Sequence, residues 1–154
     1  MQKVNSSTLW DLWRVILRLT MGFYWLYFSS QKWFGIEWIR PLLIDAAQNH
    51  PMITMRVLLT DFVIPNWKII TETQTVLEAI IGIVLLIGFL TKAIGILSAL
   101  LSFELLTIFM GSIDAPVFVW FYVLSAMTSL TLAASDAGRI FGLDGFRGAR
   151  SHNR

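Results

Sequence analysis

Three ionisable side chains lie where such groups are costly. Arg18, Glu78 and Glu104 each interrupt a long apolar run. Counted from the inner end of its run at 1.5 Å per residue, Arg18 lies roughly 13 Å deep, Glu104 roughly 16 Å and Glu78 roughly 18 Å. A charge at the centre of a bilayer costs about 2.5–3.5 kcal/mol even on the lenient insertion scale. The three are therefore expected to meet inside a bundle, with Arg18 paired to Glu104 or Glu78 and the second carboxylate beside the pair. A carboxyl so placed can exchange a proton with a quinone or another redox-active ring. Glu78 and Glu104 are thus the candidate catalytic groups, and Arg18 is their charge anchor. Tyr122, Ser125, Thr128 and Ser129 could complete the polar lining. Lys32 precedes Trp33 and Phe34. It can snorkel to the headgroups, or donate to an anion or a quinone oxygen with Trp33 available to stack. The plainer alternative for the cluster is a buried ion pair that only fixes helix register.

The elements that hold these residues follow from composition and run length. The chain has 154 residues, 56% hydrophobic and 14% charged, against about 25% charged in an ordinary soluble domain. This is the composition of an integral membrane protein in one domain. A membrane-crossing helix needs about 20 mostly apolar residues. Four segments qualify, at about 9–31, 72–90, 93–111 and 116–134. Runs of this length are helices rather than barrel strands. Arg14 and Arg18 within the first run, and the lack of a small-residue cleavage site, make it a retained helix rather than a signal peptide. Thr91-Lys92 makes a tight hairpin of the second and third runs. Asp114 can cap the fourth helix, with Pro116 in its first turn. Gly82 and Gly88 suit close helix packing in the second run.

The long connection, residues 32–71, is not a polar linker. Ile36, Ile39, Leu42, Leu43 and Ala46-Ala47 recur at near-helical spacing, and 52–63 repeats the pattern. His50-Pro51 and Pro65-Asn66 break it. Each piece is too short to span, so one or two amphipathic helices are expected at the outer interface. Four spans put both termini on one side, with Lys3, Arg14, Lys92, Arg139, Arg147, Arg150 and Arg154. By the positive-inside rule that side is the cytoplasm. Trp10 and Trp13 then mark the inner boundary, and Trp33, Trp38, Trp67 and Trp120 the outer one. Residues 135–154 form a cytoplasmic tail. Its Gly138–Gly145 stretch is expected to cap the helix ends, with Arg139 and Asp144 as a local structural pair.

Several chemistries lose their residues. There is no cysteine, which removes thiolate metal sites, iron–sulfur ligation and thiol redox chemistry in this chain. His50 and His152 have no metal or haem spacing, so no metal site is expected. Ser125 and Ser135 have no triad histidine. The glycine-rich tail lacks the Lys-Ser/Thr of a P-loop. The basic balance, net +2, is explained by topology rather than by nucleic acid. No broken helix or inverted repeat of a transporter is evident.

The order of short motifs resembles a known family. Arg18-Leu19-x-x-Gly22 is followed by Lys32. Glu78 and Gly82 precede Leu85-Leu86-Ile87-Gly88-Phe89-Leu90-Thr91-Lys92. The tail reads Ala137-Gly138-Arg139-x-x-Gly142-Leu143-Asp144-Gly145. From about Arg18 to Gly145 this resembles the DoxX/DoxD family of small four-helix membrane proteins, and especially the DoxD subunit of archaeal thiosulfate:quinone oxidoreductase. The resemblance implies a plasma-membrane redox subunit that oxidises thiosulfate to tetrathionate and passes electrons to a membrane quinone. It implies a hetero-oligomer with a DoxA-like partner and, in some assemblies, terminal oxidase subunits. No metal, haem or flavin is expected in this chain. Arg18, Lys32 and Glu78 match recurring family positions, whereas Glu104 rests on depth alone. The alternative is a non-catalytic structural or accessory subunit of a terminal quinol oxidase complex.

Overall fold

Local chemistry sets where each apolar run becomes a helix and where it stops. The computed structural model describes residues 6–112, 116–135 and 137–145. Every regular element among them is helical. Helix α1 is Ser6–Trp33, α2 Ile39–Asn49, α3 Ile53–Leu58, α4 Trp67–Ile87, α5 Thr91–Phe109 and α6 Pro116–Ala134. A π-helical turn, Leu59–Val63, continues α3, and a 3₁₀ turn, Ala137–Arg139, follows α6. Three helices are long and apolar enough to cross a membrane: α4, α5 and residues 117–134 of α6. Helix α1 is longer, at 28 residues, but Asp11, Arg14, Arg18 and Lys32 dilute its apolar character.

The second run does not extend to residue 90. Helix α4 stops at Ile87 because Gly88 turns left-handed at φ 72°. The Gly88 amide donates to Leu85 O at 3.1 Å, and the Phe89 amide to Val84 O at 3.2 Å. This is a Schellman closure, which glycine enters without a Cβ penalty. Gly88 is therefore a helix stop, and it is also closely packed: a Cβ there would collide with Arg18 Nη1 and lie 2.8 Å from Gly142 Cα. Gly82 does mark a close approach. A Cβ there would lie 2.7 Å from Leu26 Cγ and 2.9 Å from Gly22 O. Helices α1 and α4 thus run antiparallel with backbones nearly touching. Helices α5 and α6 pair likewise at Gly95, where a Cβ would lie 2.9 Å from the Ala133 amide nitrogen. The four long helices form a ring, α1–α4–α5–α6.

The connection between α1 and α4 folds as α2, α3 and the π turn, where the apolar spacing places helices. It covers one end of the ring, the cap end. Pro41 falls in the first turn of α2, where its missing N–H leaves no helical bond unmade. Ile39, Leu43, Ala46 and Ala47 are buried from α2, and Leu59 and Val63 from the π turn. Two contacts fasten this cap to α5 and the residues just after it. Ser112 Oγ donates to Asp45 Oδ2 at 2.6 Å. His50, wholly buried, accepts the Met52 amide on Nδ1 at 3.1 Å and so donates from Nε2 to Thr107 O at 2.6 Å. The expected Asp114 cap falls outside the described residues.

The opposite end, the tail end, is closed by residues 137–145. Asp144 accepts the amides of Leu90 at 2.8 Å and Thr91 at 2.9 Å, capping α5 from 53 residues downstream. The Gly138–Gly145 stretch does close helix ends, as its composition suggests. The Asp144 carboxylate does so through the backbone amides at the start of α5.

Candidate functional site

The geometry separates the three expected charges. Arg18 is buried, at 2% exposure, and points to the tail end. Its Nη1 donates to Ala137 O at 2.9 Å and Ile140 O at 3.1 Å, and its Nη2 to Phe141 O at 3.1 Å. It pairs with neither glutamate. The reason is directional. Helical side chains tilt toward their own N-terminus. Arg18 on α1 therefore leans to the tail end, while Glu78 on antiparallel α4 leans to the cap end.

Lys32 obeys the same rule in the other sense. It lies at the C-terminal end of α1 and leans back into the ring. There its Nζ donates to Glu78 Oε1 at 2.5 Å, with the two side chains 8% and 1% exposed. Both residues were visible in the sequence, but their pairing was not. Glu78 Oε2 is buried and accepts no hydrogen bond. The buried Tyr24 hydroxyl, which faces Ser125, and the buried Tyr122 lie within electrostatic reach of Glu78. Glu78 thus has one carboxylate oxygen bonded to Lys32 and one without a partner among the described residues.

Beside this pair a pocket lies beneath the cap. Phe28, Trp38, Phe109, Phe118 and Tyr122 give it an aromatic wall, filled in by aliphatic side chains such as Leu43 and Leu105. Tyr122 stacks with Phe109 and Phe118, with ring centroids 6.1 and 6.4 Å apart. The polar contributions are Lys32, Thr71 and Gln74. The Gln74 amide nitrogen is buried without an acceptor. Gln74 stands one turn before Glu78 on α4, which is the signal that could have found it. An apolar wall with a few converging donors suits a flat amphiphilic ring bearing oxygen acceptors.

The remaining candidates lie elsewhere. Trp33 does not line the pocket. It is 70% exposed, and its Nε1 donates to Ser29 Oγ at 3.1 Å, so Trp38 takes the aromatic place expected of it. Glu104 is exposed on the outside of α5. Two residues separate it from Ser102, or roughly 200° around the helix, and Ser102 faces inward. Ser102 bonds Ser125 at 2.8 Å, and Ser98 bonds Ser129 at 2.7 Å while accepting Trp25 Nε1 at 2.6 Å. Ser125 and Ser129 thus belong to an internal polar seam between α5 and α6, with Ser125 also facing the Tyr24 hydroxyl. Thr128 turns its hydroxyl onto Leu124 O. Arg139 is exposed, away from the pocket and at the opposite end of the ring.

No protein-family profile, curated protein or solved structure matches this chain.

Proposed function

We propose that this chain is a four-span membrane subunit, with both termini cytoplasmic, that binds a membrane quinone in the pocket beneath the cap. Helix α1, antiparallel to α4 along its length, is the fourth span in this reading. Lys92 and Arg139 lie at the tail end, and the positive-inside rule assigns that end to the cytoplasm. The observation that carries the functional reading is the apolar pocket with Lys32 in its wall and Glu78 directly behind it. In it, Lys32 and the Gln74 amide donate to ring oxygens, and the aromatic wall holds the ring flat. The Lys32–Glu78 pair supplies or accepts the protons that accompany electrons.

The reaction proposed follows the resemblance to the DoxX/DoxD family. Two thiosulfates join through a new sulfur–sulfur bond to form tetrathionate and release two electrons. The quinone takes those electrons and two protons to become the quinol. The sulfur chemistry belongs to a DoxA-like partner or to the shared interface. The plasma membrane is the proposed location.

The test is purification from native membranes in mild detergent, identification of co-purifying subunits, and assay of thiosulfate-dependent quinone reduction. The expected result is activity that falls at least about a hundredfold in Glu78→Gln, within the usual range for loss of a proton-transfer group, with assembly intact. Stable co-purification with oxidase subunits, no thiosulfate activity and no effect of Glu78→Gln on oxidase turnover would instead identify a structural subunit.

A further inference from the structure

Glu104 is the membrane-depth carboxylate that the pocket leaves unused. It stands on α5 roughly 20 Å from the start of the helix and roughly 7–8 Å from its end at 1.5 Å per residue. Its side chain is exposed on the outside of the ring. The two ion pairs among the described residues are Arg14–Asp11 and Lys32–Glu78. No ion pair or hydrogen bond among those residues engages the Glu104 carboxylate. The side chain does not escape to the nearer interface. A helical side chain tilts toward its N-terminus, which here directs Glu104 away from the cap end and deeper along α5. Leu97, Leu100 and Phe103, which are 40%, 61% and 42% exposed, surround it at helical spacing. The result is an apolar stripe with one acidic group in it.

We propose that this face of α5 docks a membrane-spanning helix of a different protein, one that places a lysine or arginine level with Glu104. Among the described residues, the long helices of a second copy offer no free cation at that level, Arg14 being paired with Asp11 nearer the tail end. Helix α6 carries no charged residue between 116 and 134. Lys92 and Lys68 lie in the first turns of α5 and α4. Arg18 is committed to the tail carbonyls and Lys32 to Glu78. A symmetric dimer through α5 would set two carboxylates against each other. The inference is independent of what occupies the pocket.

The experiment places a photo-activated benzoylphenylalanine at Leu100 of the full chain in native membranes. The control position is Ile83, exposed on α4. The expected adduct joins Leu100, and not Ile83, to one other membrane polypeptide. Its cross-linked peptide lies in an apolar span with a Lys or Arg within one turn. The yield falls about tenfold or more in Glu104→Leu, as loss of a desolvated charge pair requires, and persists in Glu104→Asp. Glu104→Lys combined with a Glu in place of the partner's cation restores it. Unchanged thermal melting of Glu104→Leu in detergent shows that the loss is not misfolding. An adduct with lipid alone, a homodimer of two 17.5 kDa chains, a partner peptide without a cation, or a yield unchanged by Glu104→Leu would each overturn the proposal.

Discussion

Lys32 and Glu78 are each expensive alone in an apolar bundle and tolerable together. Removing one partner of a buried pair typically costs about 3–5 kcal/mol, whereas replacing both by apolar groups is often neutral. Lys32→Met and Glu78→Leu are therefore each expected to lower the thermal unfolding midpoint in detergent. The double variant should recover most of that loss. A double variant as unstable as the worse single would show that the pair is not the source of the cost. The types of these two residues were legible in the sequence, because a charge in an apolar run stands out. Their partnership was not, because depth counted along two separate helices ignores the opposite lean of antiparallel side chains. Glu104 shows the same limit in rotation. Gly95, Ser98, Ser102, Leu105 and Phe109 trace the buried face of α5 at helical spacing, and Glu104 falls off that stripe. Periodicity held the answer where depth did not.

At the scale of elements, the ends were harder to place than the bodies. The cap helices α2 and α3 arose where apolar spacing and the two proline breaks put them. The stop of α4 was displaced by three residues because Gly88 closes a Schellman turn inside a run that stays apolar to Leu90. The α4–α5 hairpin is finished by a residue far away in sequence, Asp144, which no local pattern announces as the cap of α5. Asp144→Ala leaves the Leu90 and Thr91 amides unpaired. It is expected to cost about 0.5–2 kcal/mol, the usual range for a lost N-cap. Limited trypsin digestion should then cut after Arg139 faster than in the parent chain, with cleavage elsewhere unchanged. An unaltered rate would mean that Arg18 alone holds the tail. Asp144→Asn, which keeps one acceptor, should fall between the two.

For the whole molecule, the ring of four antiparallel helices makes a topological prediction that the cysteine-free chain renders simple to check. Single cysteines introduced at Ile53, in the cap and 76% exposed, and at Leu143, in the tail and 46% exposed, should lie on opposite faces of the membrane. A membrane-impermeant maleimide added to intact cells should label Ile53→Cys and spare Leu143→Cys until the cells are opened. Labelling of both from outside would mean that α4, α5 and α6 do not all cross the membrane. The overall helical class was plain from run length and composition. The arrangement of the pocket was not, since its wall draws on five helices and the π turn, whose neighbours in space are remote in sequence.

The three acceptors of Arg18 carry a consequence for biogenesis. The guanidinium emerges early in synthesis, yet the nearest of its carbonyl partners is 119 residues later. At a synthesis rate of about 5–20 residues per second, that is a wait of roughly 6–24 s. During that interval a positive charge must stand near the lipid with no protein acceptor of its own. The first helix therefore gains its final contacts only after the other helices are made, and residues 137–141 act as the clasp that closes a vessel already assembled. A ribosome that stops short of the tail would leave the apolar helices complete and the molecule still open at one end, marked for disposal by a single unsatisfied cation.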